Sequence, residues 1–489
     1  MTGQGQARKA GGRGGDLLVY ALPNLAQAMA SFGAIIVFSR VLSPAEFGAY
    51  AIGLASFALL HTCFLTALEA AAFRFRPEAE AAGAGAPLMA RVLGYWVLAF
   101  GAAAAICLGW AMIAPDFAKI APAVLAAMAG MSLARLVVET RRAQLRNLAA
   151  AQISTFLALG GFAIGLALAL TTPLGAAAPL HGLAIAGALA ALLFGRAEIF
   201  GQSPRFANPF ADPMLHYGYG LAAALALDLG LSIGDRFVID FLRGKEAVAA
   251  YAAGYGIAHR IIDIVFIWLG MAFAPRLQAA FHRDGKVGVA AQSRWMIEAM
   301  VAIALPAAVG LAIVSPTLIG VLVGPDIAPA AQQIGPLIAL AAFFQGCSVH
   351  YFSEAFQLAK RPWRRALILI APLLVNLGLN FAWISIWGLA GAVGATLVSF
   401  VLACGLMMGF GRRLIPMALP IARLARPVAA SGVMAAALLG LPVSDDLVGL
   451  SAQVLVGAIV YVAAAWGMDV MGCRRDRAGL ILSLTGKAV

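Results

Sequence analysis

The chain has 489 residues, 62% of them hydrophobic and 11% charged, with a mean hydropathy of +0.91. A water-soluble fold of this length needs far more polar surface, so lipid is the expected solvent for most of the chain. The net charge of +12 invites a nucleic-acid reading, but no basic cluster sits in a segment able to fold in water, so nucleic acid is excluded as a partner.

Residues 1–16, MTGQGQARKAGGRGGD, are Gly-rich and basic and read as a disordered tail. The apolar run after them is too long for a signal-peptide core and lacks a small-residue cleavage site, which makes it an uncleaved first helix. Crossing the hydrocarbon core takes about 20 mostly apolar residues. Stretches of that kind fall at 17–40, 47–72, 88–112, 118–138, 148–170, 177–195, 214–234, 247–274, 296–322, 331–357, 367–386, 389–411, 427–442 and 451–471. The spacing predicts an all-α polytopic membrane protein of about fourteen spans, with 427–442 the shortest.

The basic residues then orient the spans. With the N-terminus in the cytoplasm, 28 of the 34 Lys and Arg fall in the tails and the even-numbered gaps. Only Arg40, Lys119, Arg243 and Lys245 fall outside, and Arg236 and Arg260 lie within or at the edge of spans. That asymmetry predicts a multi-pass protein with both termini cytoplasmic. Cys63, Cys107, Cys347 and Cys404 are scattered inside spans and Cys473 lies in the C-terminal tail, with no metal-ligand spacing or evident disulfide partner. The longest gaps, 73–87, 196–213 and 275–295, hold no soluble domain, and the chain has no P-loop, GxGxxG after a strand, HExxH or GxSxG. No catalytic residue, metal site or cofactor is therefore expected, and a transporter or flippase is favoured over an enzyme.

Internal repetition supports that class. The start of span 2, FGAYAIG (47–53), matches the start of span 8, VAAYAAG (248–254), at Ala49/Ala250, Tyr50/Tyr251, Ala51/Ala252 and Gly53/Gly254. The segments stand six spans apart, so two such halves share one orientation, as in transporters that rock one half against the other. Small residues suited to tight helix entry offer a simpler explanation.

Three segments carry a family resemblance. FSRVLSPAEFGAYAIGLASF (38–57) resembles the first-hairpin signature of polysaccharide-biosynthesis flippases in the multidrug/oligosaccharidyl-lipid/polysaccharide exporter superfamily. DRFVIDFLRGKEAVAAYAAGYGIA (235–258) is similar to that family in order and spacing, and IWGLAGAVGATLVSF (386–400) looks like its GxxGAAxAT outer turn. The likeness covers about residues 15–410, and Ala249 stands where the family usually carries Gly. It implies two six-helix lobes, 17–200 and 201–411, around a central cavity, two further helices within 412–475 and a cytoplasmic tail at 476–489. It also implies transport of polyprenyl-diphosphate-linked oligosaccharide between leaflets of a bacterial inner membrane, for surface polysaccharide, lipopolysaccharide or exopolysaccharide assembly. Polymerase or export machinery would then be a partner, beside membrane lipids.

Charges inside spans are costly and face a bundle interior or water, so each is a functional candidate. Arg236 and Arg260 are the candidates for diphosphate contact, because guanidinium forks match phosphate oxygens and stay charged in low dielectric. Asp228 and Asp235 stand seven apart, and His259 and Asp263 four apart. Pairing of Arg236 with Asp235 or Asp240, and of Arg260 with Asp263, is the purely structural alternative. His259 is a candidate for a proton-coupled step or a packing residue; Asp228 and Asp263 either bind a coupling cation or offset the arginines. Asn24 and Gln27, just after Pro23, with Arg40, Tyr251 and Tyr255, complete the expected cavity lining. The basic loops LAKRPWRRA (358–366) and GRRLIPMALPIARLARP (411–427) set topology and touch anionic head groups, or draw diphosphates toward the cavity. A cation-coupled multidrug exporter of the same superfamily is the main alternative. A membrane-embedded glycan polymerase or ligase would need a large outer loop, and the outer gaps are short.

Overall fold

A computed structural model describes residues 13–206, 212–441 and 446–474. Residues 1–12 of the expected N-terminal tail and the whole expected tail at 476–489 lie outside the described residues. Arg13–Asp16, expected in the tail, open the first helix.

The helices follow from the apolar runs and from local stop and start signals. α1 (Arg13–Val41) turns into α2 (Pro44–Phe64) through a capping box. Ser43 Oγ and the Ser43 N–H both donate to Glu46 Oε2, at 2.8 and 2.9 Å, and the Glu46 N–H returns toward Ser43 Oγ at 3.4 Å. Pro44 at the first helical position costs no hydrogen bond there. The SPAE of the first-hairpin signature is thus a helix-start device. The expected span 2 runs past Leu65, where the structure breaks it and begins α3 (Thr66–Ala81). His61 and Glu69 bridge that break, Nε2 to Oε1 at 2.9 Å.

α4 (Gly85–Ile113), the short α5 (Pro115–Ala118), α6 (Ala121–Ala143), α7 (Asn147–Thr171) and α8 (Ala178–Phe194) follow. The next pass is divided into α9 (Pro213–Ile233) and α10 (Asp235–Arg243) around Gly234. α11 (Lys245–Leu322) contains two expected passes, parted at Gly285, whose φ of 60° an L side chain rarely adopts. α12 (Ala328–Gln332) precedes α13 (Gly335–Cys347), which continues through a π-helical turn (Ser348–Phe352) into α14 (Glu354–Leu358). α15 (Pro362–Trp387), α16 (Leu389–Leu414), α17 (Ile421–Leu439) and α18 (Leu447–Gly467) complete the order. The short apolar stretch at 427–442 belongs to the full-length α17, whose first turns carry Arg423 and Arg426. Eleven of these helices are long and apolar enough to cross a membrane. With α11 counted twice and the two broken passes added, they account for the fourteen expected spans. Large apolar side chains such as Met112, Ile113, Phe241 and Val448 are more than 70% exposed, a surface that only lipid suits.

The chain divides into two compact units, residues up to Leu42 with Gly53–Ala223, and Ser43–Ile52 with residues from Ala224 on. In the first unit α7 and α8 meet backbone to backbone: a Cβ on Gly182 would lie 2.5 Å from the Gly161 carbonyl oxygen and 2.4 Å from the Gly165 nitrogen. Small residues are what allow such approach where lipid removes the hydrophobic drive between helices. In the second unit the Arg243 guanidinium donates to the Ile384 and Ser385 carbonyls at 2.8 and 2.9 Å, satisfying the C-terminal end of α15.

The repeat is visible in packing. Gly53 of α2 sits against Ile120, which leads into α6, and Gly254 of α11 sits against Ile334, which leads into α13. α6 and α13 are themselves six passes apart. Each is preceded by a Pro-Asp pair, Pro115–Asp116 and Pro325–Asp326, and a short helix, α5 and α12.

Candidate functional site

Three in-span polar groups of the second unit, Asp235, Arg236 and His259, join a polar column along α10, α11 and α16. Asp235, the first residue of α10, is completely buried. Its Oδ2 accepts from the Tyr251 hydroxyl and from Thr396 Oγ1 at 3.3 Å, and the two hydroxyls lie 3.1 Å apart. Thr396 is held in place by donating to the Ala392 carbonyl of its own helix at 3.0 Å. Asp235 Oδ1 accepts no side-chain hydrogen bond among the described residues. A carboxylate so placed costs several kcal/mol unless it carries a proton or faces a cation. On α15, Asn380 Nδ2 donates to Asn376 Oδ1 at 2.9 Å, which leaves the buried Asn380 Oδ1 unpartnered. No group of three His, Cys, Asp or Glu with metal-binding geometry occurs among the described residues.

Rings spaced four residues apart on α11 extend the column. Tyr251 and Tyr255 have centroids 5.7 Å apart, and Tyr255 stacks on His259 at 4.8 Å. The Arg236 guanidinium lies 5.5 Å from the centre of the Tyr255 ring. A cation over a ring face gains only about 0.5–2 kcal/mol, against about 3 kcal/mol for placing an arginine at the middle of a spanning helix. Among the described residues Arg236 ion-pairs with no carboxylate: Asp240 pairs with Lys245 instead, and Arg236 Nε is buried without a partner. At the other end of the column His259 Nε2 is hydrogen-bonded to Gln345 Oε1, whose amide donates to Ser232 Oγ at 3.0 Å.

The remaining candidates separate from this column. Arg260 and Asp263 form an ion pair at 3.4 Å with side chains 45% and 28% exposed, which matches the structural alternative for Arg260. Asp228 pairs with Arg365 at the start of α15. Asn24, Gln27 and Arg40 are exposed residues of α1 in the first unit, where the Gln27 carbonyl accepts from Ser31 Oγ at 2.8 Å. The structure therefore joins Asp235, Arg236, Tyr251, Tyr255 and His259, and leaves Asp228, Arg260 and Asp263 in two other pairs.

Sequence reasoning did not select Thr396, Gln345, Ser232 or Arg365 as site residues. Thr396 had a signal: it is the final Thr of GAVGAT in the outer-turn segment. Gln345 had a weaker one, as a polar group inside an apolar span. Arg365 lay hidden in a basic loop whose charge topology already explained.

Fold and column together define a polytopic helical membrane protein with charged groups inside its spans. A structure of the lipid II flippase MurJ in an inward-closed conformation matches with a TM-score of 0.76 at 14% identity, over 93% of this chain and 99% of that one. An inward-facing multidrug resistance MATE family transporter of the MOP superfamily matches with a TM-score of 0.57 at 12% identity, over 84% and 95% of the two chains. The eukaryotic MATE transporter AtDTX14 matches with a TM-score of 0.52 at 14% identity, over 82% and 98%. A comparison with curated proteins gives no match. The model of the family described as polysaccharide biosynthesis protein matches residues 15–281, more than half of the sequence, and the chain belongs to that family.

Proposed function

We propose that the protein flips polyprenyl-diphosphate-linked oligosaccharide from the inner to the outer leaflet of a bacterial inner membrane, by alternating access, for surface or exopolysaccharide assembly. The distribution of Lys and Arg supports cytoplasmic termini in this reading. The observation that carries the reading is Arg236, a guanidinium within the spans of a polysaccharide-biosynthesis family member that is held against the Tyr255 ring and, among the described residues, makes no ion pair within 4 Å. The substrate class presents a dianionic diphosphate, a hydrated sugar head and a lipid tail that stays in the bilayer. A guanidinium held against Tyr255 offers a fixed fork to the phosphate oxygens, the pairing that survives in low dielectric. The hydroxyl and amide groups of the column suit the hydrated head.

The test is flipping of a fluorescent polyprenyl-diphosphate oligosaccharide in proteoliposomes of the purified protein. Transport that outpaces protein-free vesicles supports the reading. Absence of transport by folded protein across several glycan donors counts against it. A second reading, cation-coupled multidrug export, draws on the buried Asp235 and the likeness to MATE transporters. It expects organic cations to be moved under an ion gradient and to compete with the glycan lipid.

A further inference from the structure

A second basic site lies well apart in sequence from the polar column, where α16 ends, α17 begins and the second half of α11 passes by. A cavity of about 790 Å³ opens there, lined by Arg294 of α11, Arg412 and Arg413 of the last turn of α16, and Arg423 of the first turn of α17. No acidic residue lines it. Glu298, one turn beyond Arg294 on α11, pairs with Arg423 at 3.2 Å and so offsets one of the four charges, while Arg423 remains 60% exposed. Arg413 lies 5.4 Å from the Phe410 ring centre, and neither Arg294 nor Arg412 has a carboxylate partner among the described residues.

The floor of the cavity is a fixed strap. Residues 415–420, IPMALP, carry a proline near each end, and Pro420 caps α17 without any side-chain hydrogen bond. The Ala418 N–H donates to Ser293 Oγ at 3.0 Å, and the Ala418 carbonyl accepts from the Tyr351 hydroxyl at 2.6 Å. Ser293 and Tyr351 are both completely buried, so the strap is pinned to the core of the second unit and not laid on its surface. Met408, Met417 and Leu419 supply apolar lining beside the arginines. Arginines clustered at the end of a spanning helix, above apolar lining, match a ligand with an anionic head and a body that remains in lipid. Repulsion among uncompensated guanidinium groups is relieved by a shared phosphate, which each fork engages by charge-assisted hydrogen bonds.

We infer that this cavity binds the phosphate of an anionic phospholipid, separately from the site at Arg236, and thereby ties the first turn of α17 to α16 and α11. The experiment uses the full-length protein in neutral detergent. Native mass spectrometry and thermal unfolding are measured with phosphatidylglycerol, with phosphatidylcholine and with inorganic phosphate. Bound phosphatidylglycerol and a raised unfolding midpoint are expected, with little response to phosphatidylcholine. The double variant Arg412→Gln/Arg413→Gln is expected to lose binding about fivefold or more, and the control Arg283→Gln, on an exposed part of α11 outside the lining, to keep it. If the double variant does not fold, Arg294→Gln on the opposite wall takes its place, with an expected loss of about threefold. Equal binding of both lipids, or unchanged binding in the variants, overturns the inference. Inorganic phosphate reproducing the full stabilisation would overturn the lipid assignment in favour of a free anion.

Discussion

α2 and the first pass of α11 share a packing skeleton and differ in chemistry. Both begin after a short connection, both bury a tyrosine, Tyr50 or Tyr251, and both place a glycine, Gly53 or Gly254, against the lead-in of the pass two further on. One and two turns past the tyrosines, α11 carries Tyr255 and His259, where α2 has Leu54 and Ala58. The small residues that set helix approach recur, while at these two positions ring and imidazole groups stand only on α11.

The sharpest way to break that comparison is at the charges. Asp235→Ala strips the Tyr251 hydroxyl of its carboxylate acceptor, and Arg236→Ala removes the guanidinium held against Tyr255. Each is expected to lower flipping on the order of 10- to 100-fold, the equivalent of one or two charge-assisted hydrogen bonds of about 1.5 kcal/mol each, with Asp235→Asn intermediate. Initial rates in proteoliposomes measure this. A test of the shared skeleton comes next. Gly53→Val and Gly254→Val should each destabilise the purified protein by about 1–3 kcal/mol, because the added carbons meet Leu180 in one case and the Ala331 carbonyl in the other. Gly409→Val, with no atom within 4 Å of its Cβ, should leave the unfolding midpoint in place. Unequal effects of the first two substitutions would mean that the repeat lies in the sequence but not in the packing.

A smaller effect is expected where the two helices differ at one residue. Tyr255→Leu gives α11 the residue of α2, removes the ring under Arg236 and should slow flipping by roughly threefold with little change in stability, within the range of a cation–π contact. The smallest effect lies outside the spans. Hydrogen bonds from Gln144 and then Arg76 hold the Glu80 carboxyl below its ordinary range. Because the folded value is depressed, the stabilisation is complete above the ordinary glutamate pKa and is lost as pH falls through the folded value. Gln144→Ala should lower stability slightly at neutral pH and make the loss on acidification smaller, ending at a higher pH, as urea unfolding across the acid range would show.

Membrane topology was the legible part of this chain, because a span announces itself by length and apolarity, and fourteen such runs recur as helices. The misplaced edges have local causes. Leu65 ends α2 inside a continuous apolar run, and Arg423 and Arg426 shorten the apparent span of α17 although helix geometry continues through them. The candidate site was half legible. Asp235, Arg236, Tyr251, Tyr255 and His259 stand close in sequence, and in-span charge singled out Asp235, Arg236 and His259, with the two tyrosines named beside them as cavity lining. Their partners Gln345 and Thr396 lie 86 and 161 residues away, and no local pattern encodes which distant hydroxyl or amide meets which group. The difference between the two arginines also needed the structure, since Arg260 pairs with Asp263 while Asp240 pairs with Lys245 and Arg236, among the described residues, makes no ion pair within 4 Å.

The measurement that bears most directly on this account is polyprenyl-diphosphate oligosaccharide flipping by Arg236→Ala and Arg260→Ala, reconstituted side by side with the wild-type protein. The account predicts a loss of roughly tenfold or more at Arg236 and less than about threefold at Arg260, with both variants folded. Equal transport by wild type and Arg236→Ala, or a larger loss at Arg260, would contradict it and move the diphosphate contact away from the Asp235–His259 column.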